Sequence, residues 1–393
     1  MSGLLQGAVI RQGAVMRIRC GMWLLTTCLL TGRATSVTTA EDRLAPYEFR
    51  QIEMGVPFRI VLYAGDESAA NNAARAAYAR IKQLNGVMSD YDPDSELRRL
   101  CRCSGPSRPV KVSPELLEVL SHSLKLSRQT HGAFDVTVGP VVRLWRIARR
   151  RKRLPKPAAL EAARQRVGFS NVRLDPQAGT IKLLKSGMRI DLGGIAKGYA
   201  GDEALRILKR HGISRVLIDG SGDIVVGDPP PGRTGWTIEV AKLRHASTSR
   251  VKAASGGRQT TGSSKRPAGS RRPVAEAKSD GKELPIRILL ANAAVATSGN
   301  AYQFVEIDGT RYSHIIDPKT GLGLTRNSSV TVIAADGVTA DGLASAVSVL
   351  DVQRGLKLIE MTTGTAALVV QLVDRNLQAL TSKRFNTYVV HDE

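Results

Sequence analysis

The segment Asp191-Leu-Gly-Gly-Ile-Ala-Lys-Gly198 has the residue types to hold an anion. Its glycines let the backbone approach a ligand, free N–H groups at the start of a following helix favour negative charge, and Lys197 adds a mobile cation. The spacing is not that of the nucleotide-triphosphate loop, and a tight strand-to-helix turn would use the same residues. In Asp341-Gly-Leu-Ala-Ser345 a carboxylate and a hydroxyl stand four positions apart, on one helix face. Two hard oxygens so arranged suit Mg²⁺, which takes few protein ligands and leaves positions for phosphate and water. The competing role for Asp341 is to cap the helix or complement its dipole. Tyr312-Ser-His314-Ile-Ile-Asp317-Pro-Lys-Thr-Gly321 finishes in a strong turn. Its imidazole and carboxylate therefore sit at a strand end, where they can be aimed at a cleft. His314 could take a hydroxyl proton near neutral pH, or serve structure alone. Val295-Ala-Thr297-Ser298-Gly299 reads as a small-residue turn after a strand, whose hydroxyls either bind phosphate or only form the turn.

These residues need a scaffold. Residues 47–64 read as strand, followed by a helix from Ser68, as cap, to Val87, with Ala77, Ile81, Leu84 and Val87 on one face. Ser113-Pro114-Glu115 opens a second helix that ends near His131-Gly132. A third runs from Ile195 to Arg210 and stops at Gly212. Strands are expected at 216–219, 224–226, 236–240, 286–290, 330–333 and 367–373, with a helix over Ala340–Met361. Strands and helices mix without a strict βαβ rhythm, which favours an α+β fold.

The formal net charge of +22 raises the question of nucleic acid. Much of the excess lies in two runs, Arg146–Arg153 and a Ser/Gly/Lys/Arg stretch at about 245–282. No aromatic residues interleave with either, so no stacking platform accompanies the charge, no nucleic-acid partner is expected, and both runs read as solvated loops. The stretch at 245–282 lacks apolar periodicity and reads as a disordered insertion. Residues 1–40 carry a positive start, a short apolar run from Met22 to Leu30 and a small-residue end, the pattern of a secretory signal. The expected location is therefore exported and periplasmic, with the uncleaved leader as an inner-membrane anchor the alternative. Cys101 and Cys103, one residue apart, are poorly placed to bridge and have no metal spacing around them.

In their order along the chain the segments resemble the FAD:protein FMN transferase family, the ApbE-type flavin transferases. The resemblance runs through Met54-Gly55, Met88-Ser-Asp-Tyr91 with Ser95-Glu96, and Gly132-Ala-Phe-Asp135-Val-Thr-Val-Gly-Pro140 with Leu144-Trp145. It continues through the segment at 191–198, Gly220-Ser-Gly-Asp-Ile224, the Ala-Thr-Ser-Gly run at 296–299, the His314 segment and Ala340-Asp341. It spans nearly all of 41–393, read as one domain interrupted by the basic insertion. The resemblance implies two mixed α/β halves with a flavin-binding cleft between them. It implies contacts to FAD from Met54, Tyr91, Ala133, Phe134, Asp135, Asp191, Lys197 and Ile316, and an Mg²⁺ site from the Gly194 carbonyl, Asp341 and Ser345. His314 would be the base and Asp317 would orient the turn. The implied reaction is Mg²⁺-dependent transfer of FMN from FAD through a phosphoester to a Thr or Ser hydroxyl of a target protein, releasing AMP. Hydrolysis of FAD to FMN and AMP, or non-catalytic FAD binding outside the cytoplasm, are the alternatives. The acceptor would be an exported flavoprotein or a membrane redox subunit. Three features depart from the family pattern: Ser345 where Thr is common, a longer junction at Asn300-Ala301-Tyr302, and Leu322-Gly323 in place of the usual Pro.

Overall fold

A hairpin opens the fold, with β1 (Ala45–Glu53) paired antiparallel to β2 (Val56–Ala64). The two strands are not the single strand expected over 47–64, because Met54 and Gly55 both take positive φ, 52° and 78°, and reverse the chain. The computed structural model describes residues 44–105, 108–240, 286–299, 303–374 and 376–390. The leader read at 1–40, the insertion read at 245–282 and the Asn300-Ala301-Tyr302 junction lie outside the described residues.

After the hairpin come α1 (Glu67–Met88), α2 (Glu96–Arg102), β3 (Val110–Lys111), α3 (Pro114–Gln129), α4 (Gly139–Arg151) and α5 (Pro157–Arg164). They are followed by β4 (Val172–Asp175), β5 (Thr180–Leu183), α6 (Ala196–Arg210), β6 (Val216–Asp219), β7 (Asp223–Val226) and β8 (Trp236–Glu239). Next are β9 (Arg287–Leu290), β10 (Ala293–Gly299), β11 (Phe304–Ile307), β12 (Thr310–Ser313) and β13 (Ser328–Ala334). The chain finishes with α7 (Gly337–Val349), α8 (Val352–Met361), β14 (Ala366–Val373) and β15 (Asn376–Thr381).

Eight strands form one sheet in the order β1-β2-β6-β7-β10-β13-β14-β15, every pair antiparallel. Alternation divides its side chains between two cores. Ile60, Ile218, Val225, Ala296, Val332 and Ala367 pack under α1, α6 and α7, while Leu217, Val226, Val295, Ile333 and Leu368 meet Trp236, Ile288 and Phe385 on the other face. A third cluster joins α4 and α5 to the β11–β12 hairpin around the fully buried Trp145, whose Nε1 donates to the Gly321 carbonyl at 2.8 Å. This is the α+β class expected.

Several local expectations change for identifiable reasons. The cap of α1 is Asp66, accepting from the Ala69 N–H at 2.8 Å, and Ser68 lies inside the helix. Ser113 caps α3 as expected. The helix expected over Ala340–Met361 is two helices, because Leu350 is extended and Asp351 starts α8 by accepting from the Arg354 N–H at 3.0 Å. Residues 295–299 are not a turn but part of β10, registered against β13 through Gly299. The basic run begins on a helix rather than in a solvated loop: Val141, Trp145 and Ala148 form a buried stripe that winds Arg146–Arg151 into α4. Among the described residues no helix is long and apolar enough to cross a membrane.

Candidate active site

The site is built on the crossing of α6 and α7. A Cβ on Gly198 would stand 2.0 Å from the Gly337 carbonyl oxygen, and one on Gly337 would stand 2.5 Å from the Gly198 carbonyl oxygen. The two backbones therefore touch, which only glycine permits. That contact sets the start of α6 against the first two turns of α7.

Asp341 lies in the second turn of α7 and does not cap it; the helix start is held by Asp336, accepting from the Thr339 N–H, and by Asp202, accepting from the N–H groups of Gly337 (2.7 Å) and Val338 (2.9 Å). Buried Asp341 instead accepts from the Gly198 N–H of α6 at 3.2 Å and lies 3.9 Å from Lys197 Nζ. Lys197 also ion-pairs with Asp223 at the start of β7. Burial opposes the Lys197 charge, but Asp341 and Asp223 outweigh it and hold the ammonium protonated. Burial and the Asp341 charge push Asp223 up to about 7, against the pull of Lys197. Two carboxylates thus share one ammonium.

The glycine-rich entry to α6 is expected to offer free N–H groups to an anion. They are largely used: Ile195 and Ala196 donate to the Leu192 carbonyl, and Gly198 donates to Asp341. The hydroxyl of Ser345 is free in the opposite sense. Ser121, Ser123, Ser127 and Ser348 each bond the carbonyl four residues back, whereas Ser345 makes no hydrogen bond among the described residues and faces Gly194, where a Cβ would be 2.6 Å from its Oγ. Asp341, Ser345 and Gly194 are thus brought together, and their hard oxygens fit a small divalent cation. Among the described residues there is no group of three or more His, Cys, Asp and Glu side chains able to hold a metal, so any ion here would depend on hydroxyl, carbonyl and ligand oxygens.

A second layer surrounds Asp191. Arg146, on α4, binds Asp90 at 2.6 Å and Asp191 at 3.1 Å, and its guanidinium carbon lies 3.9 Å from the centroid of the Tyr91 ring. The Tyr91 ring is otherwise 75% exposed, a flat surface with one face occupied. Burial and the Asp90 charge raise Asp191 to about 6, against Arg146, and its Oδ1 accepts from the Gly193 N–H at 2.9 Å. Arg146 is thus not part of a solvated loop; the sequence signal for its placement is its position one residue after Trp145, which is buried.

Ala133, Phe134 and Asp135 are all buried, with Phe134 near Gly194. The Asp135 carboxylate is committed internally, accepting from Thr137 N–H (2.9 Å), Thr137 Oγ1 (2.7 Å) and Phe169 N–H (2.8 Å). Asp135 shapes this loop, and with Pro318 and Lys319 it lines a cavity of about 290 Å³. Asp317 is likewise a turn residue, accepting from Lys319 N–H (2.8 Å) and Thr320 Oγ1 (3.1 Å). Buried Ile316 packs in the Trp145 cluster, and Met54 packs against the helical core beneath the first hairpin turn.

His314 follows β12, its Nδ1 3.1 Å from the Gln303 carbonyl oxygen. A carbonyl only accepts, so Nδ1 carries the proton and Nε2 presents its lone pair. Burial lowers the imidazole pKa; the Gln303 bond opposes this, and the positive charges of Arg149 and Lys197 add to it. His314 is therefore a neutral imidazole at pH 7.

Fold and site define a class: an α+β protein on an eight-stranded antiparallel sheet, with a polar site where two helices cross against it. The ApbE family model matches residues 54–369, and the chain belongs to the ApbE family. The FAD:protein FMN transferase of Treponema pallidum (strain Nichols) is 30% identical over 366 residues, covering 90% of this chain and 92% of the relative. That of Klebsiella pneumoniae (strain 342) is 27% identical over 376 residues, covering 94% and 97%. The flavin transferase ApbE from Vibrio cholerae matches with a TM-score of 0.70 at 26% identity, over 88% of this chain and 99% of that one. The ApbE protein of Thermotoga maritima gives 0.71 at 26% identity, over 88% and 100%.

Proposed function

We propose that this chain is an FAD:protein FMN transferase, moving FMN from FAD to a Ser or Thr hydroxyl of an acceptor protein and releasing AMP. The observation that carries the reading, beside family membership, is the free Ser345 hydroxyl set with Asp341 against Gly194 and Lys197. Gly194, Asp341 and Ser345 would hold Mg²⁺, and the ion would supply neutralisation of diphosphate charge as the bond to AMP breaks.

The chain's own residues account for the rest. His314 Nε2 takes the proton of the acceptor hydroxyl while that oxygen forms its bond to the FMN-side phosphorus; the bond to the AMP phosphate breaks, and AMP leaves with the electron pair. Burial keeps His314 unprotonated at neutral pH, the state a base requires. Tyr91 offers an exposed ring for stacking, braced by Arg146 from one side. Asp191 can accept hydrogen bonds from sugar or base through the oxygen shared with Arg146. Met54, Ala133, Phe134 and Ile316 supply apolar surface, while Asp135 and Asp317 hold their loops in shape. FAD would lie between the sheet-and-helix core and the part built from α4, α5 and the β11–β12 hairpin. The acceptor would be an exported flavoprotein or membrane redox subunit, reached after residues 1–40 direct export; residues 41–393 would act as one domain.

Incubation with FAD, Mg²⁺ and a candidate acceptor tests the proposal. A fluorescent acceptor band with AMP release is expected. Free FMN without labelled acceptor would indicate hydrolysis, and unaltered FAD would leave only binding.

A further inference from the structure

The cations around the site are not equally committed. Arg146 is bound to Asp90 and Asp191, and Lys197 is shared by Asp223 and Asp341. Arg149 differs. It stands one turn after Arg146 on α4, half-buried, and its Nε is sealed from solvent with no hydrogen-bond partner among the described residues. Its charged neighbours are Arg146 and Tyr91, and it acts on the His314 imidazole. Burial, the largest influence, lowers its pKa, Arg146 lowers it further, and Tyr91 opposes them. The carboxylates lining the site, Asp90, Asp191, Asp223 and Asp341, are each engaged by another cation. A half-buried guanidinium whose Nε is sealed and unpaired, with no counter-ion among the described residues, is unfavourable in the empty protein and becomes favourable when a ligand supplies the anion. Its planar fork suits two oxygens of one phosphate.

We infer that Arg149 is an anion-contact residue, gripping the phosphoryl oxygens of the dinucleotide on the side where His314 stands. The assignment rests on the transferase reading for the identity of the dinucleotide, and on the unpaired guanidinium for the anion. It gives the site a cation that no carboxylate among the described residues neutralises, close enough to act on the His314 imidazole. There it can take up charge on the phosphorus under attack and keep His314 neutral before substrate arrives.

Three proteins test it as full chains: wild type, Arg149→Gln and Arg149→Lys. Inorganic pyrophosphate is titrated without divalent cations by calorimetry. Wild type is expected to bind at least tenfold more tightly than Arg149→Gln, with Arg149→Lys between them. Single-turnover AMP release from FAD should fall at least tenfold in Arg149→Gln, and the acid limb of its pH–rate profile should move to higher pH as His314 loses its cationic neighbour. The unliganded Tm of Arg149→Gln should equal or exceed that of wild type, because no partner among the described residues is lost; a structural arginine would lower it. Pyrophosphate binding by Arg149→Gln within twofold of wild type, or no binding by wild type, overturns the inference. Arg149-dependent pyrophosphate binding by a protein that leaves FAD intact upholds it and refutes the transferase reading. Normal FAD turnover by Arg149→Gln does the reverse.

Discussion

Replacing Gly198 by Ala probes the contact on which the site is built. The new Cβ would stand 2.0 Å from the Gly337 carbonyl oxygen, 2.5 Å from its carbonyl carbon and 2.9 Å from the Asp341 Cβ. The first distance is about 1.5 Å short of a comfortable non-bonded separation, and its partner is backbone, so no rotamer change relieves it. The helices must separate. Overpacking of this kind costs about 3 kcal/mol, a loss of roughly 4 °C in Tm for a chain of this size. Separation also draws Asp341 from the Gly198 N–H, now at 3.2 Å, and Ser345 from Gly194. Single-turnover AMP release in saturating FAD should therefore fall at temperatures where the variant is still folded. Gly86→Ala is the control: it lies in α1 with nothing within 4 Å of its Cβ, and should raise stability by roughly 0.5 kcal/mol. Thermal denaturation followed by circular dichroism reads both. A Gly198→Ala protein with unchanged Tm and unchanged turnover refutes the close crossing as the organiser of the site.

Other perturbations follow from the same geometry. Arg146→Met strips Asp90 and Asp191 of their shared cation and the Tyr91 ring of its brace; stability should drop by about 2 kcal/mol and FAD affinity, read by flavin fluorescence, should weaken, whereas equal affinity would detach Tyr91 from the flavin site. His314→Ala should leave FAD affinity close to wild type and slow transfer roughly 100-fold or more, and unchanged transfer removes His314 from the mechanism. Burial holds the Asp202 carboxyl up to about 7 from 3.8, against the bonds from Gly337 and Val338. Its contribution to stability is present below about pH 4 and is lost as pH rises through 7, at most about 4 kcal/mol. Chemical denaturation of the unliganded protein between pH 5 and 8 should show falling stability that Asp202→Asn flattens; an identical slope in the variant would place the titration elsewhere.

The sequence made the elements legible wherever local chemistry decides them. Ser113-Pro114 started α3, and the glycines of the segment at 191–198 marked the entry to α6. It failed where tertiary packing decides. A hairpin turn without the usual Asn-Gly or Asp-Gly hid in the run 47–64, because nothing in Met54-Gly55 announces that Met adopts a positive φ. The small residues at 295–299 have the composition of a turn, yet β7 and β13 flank their strand and hold it extended from both sides. For the site, chain order of the motifs carried more than any single residue, and Asp341, Ser345, Gly194 and Lys197 do meet. Arg146 and Arg149 were lost in a run of like charges, since composition cannot tell which side of a helix faces a cleft. Asp135 and Asp317 show the converse: acidic residues in a functional motif whose oxygens are taken by their own loops.

On the proposed reading, an oxygen-lined site around Asp341 supports movement of FMN from FAD to another protein. Intact mass spectrometry of a candidate acceptor co-expressed with this chain decides whether it does. One FMN increment per acceptor site is expected with the wild type and none with Asp341→Asn, both chains being folded and equally abundant. An acceptor of unchanged mass beside the wild type, or one labelled equally by Asp341→Asn, would contradict it.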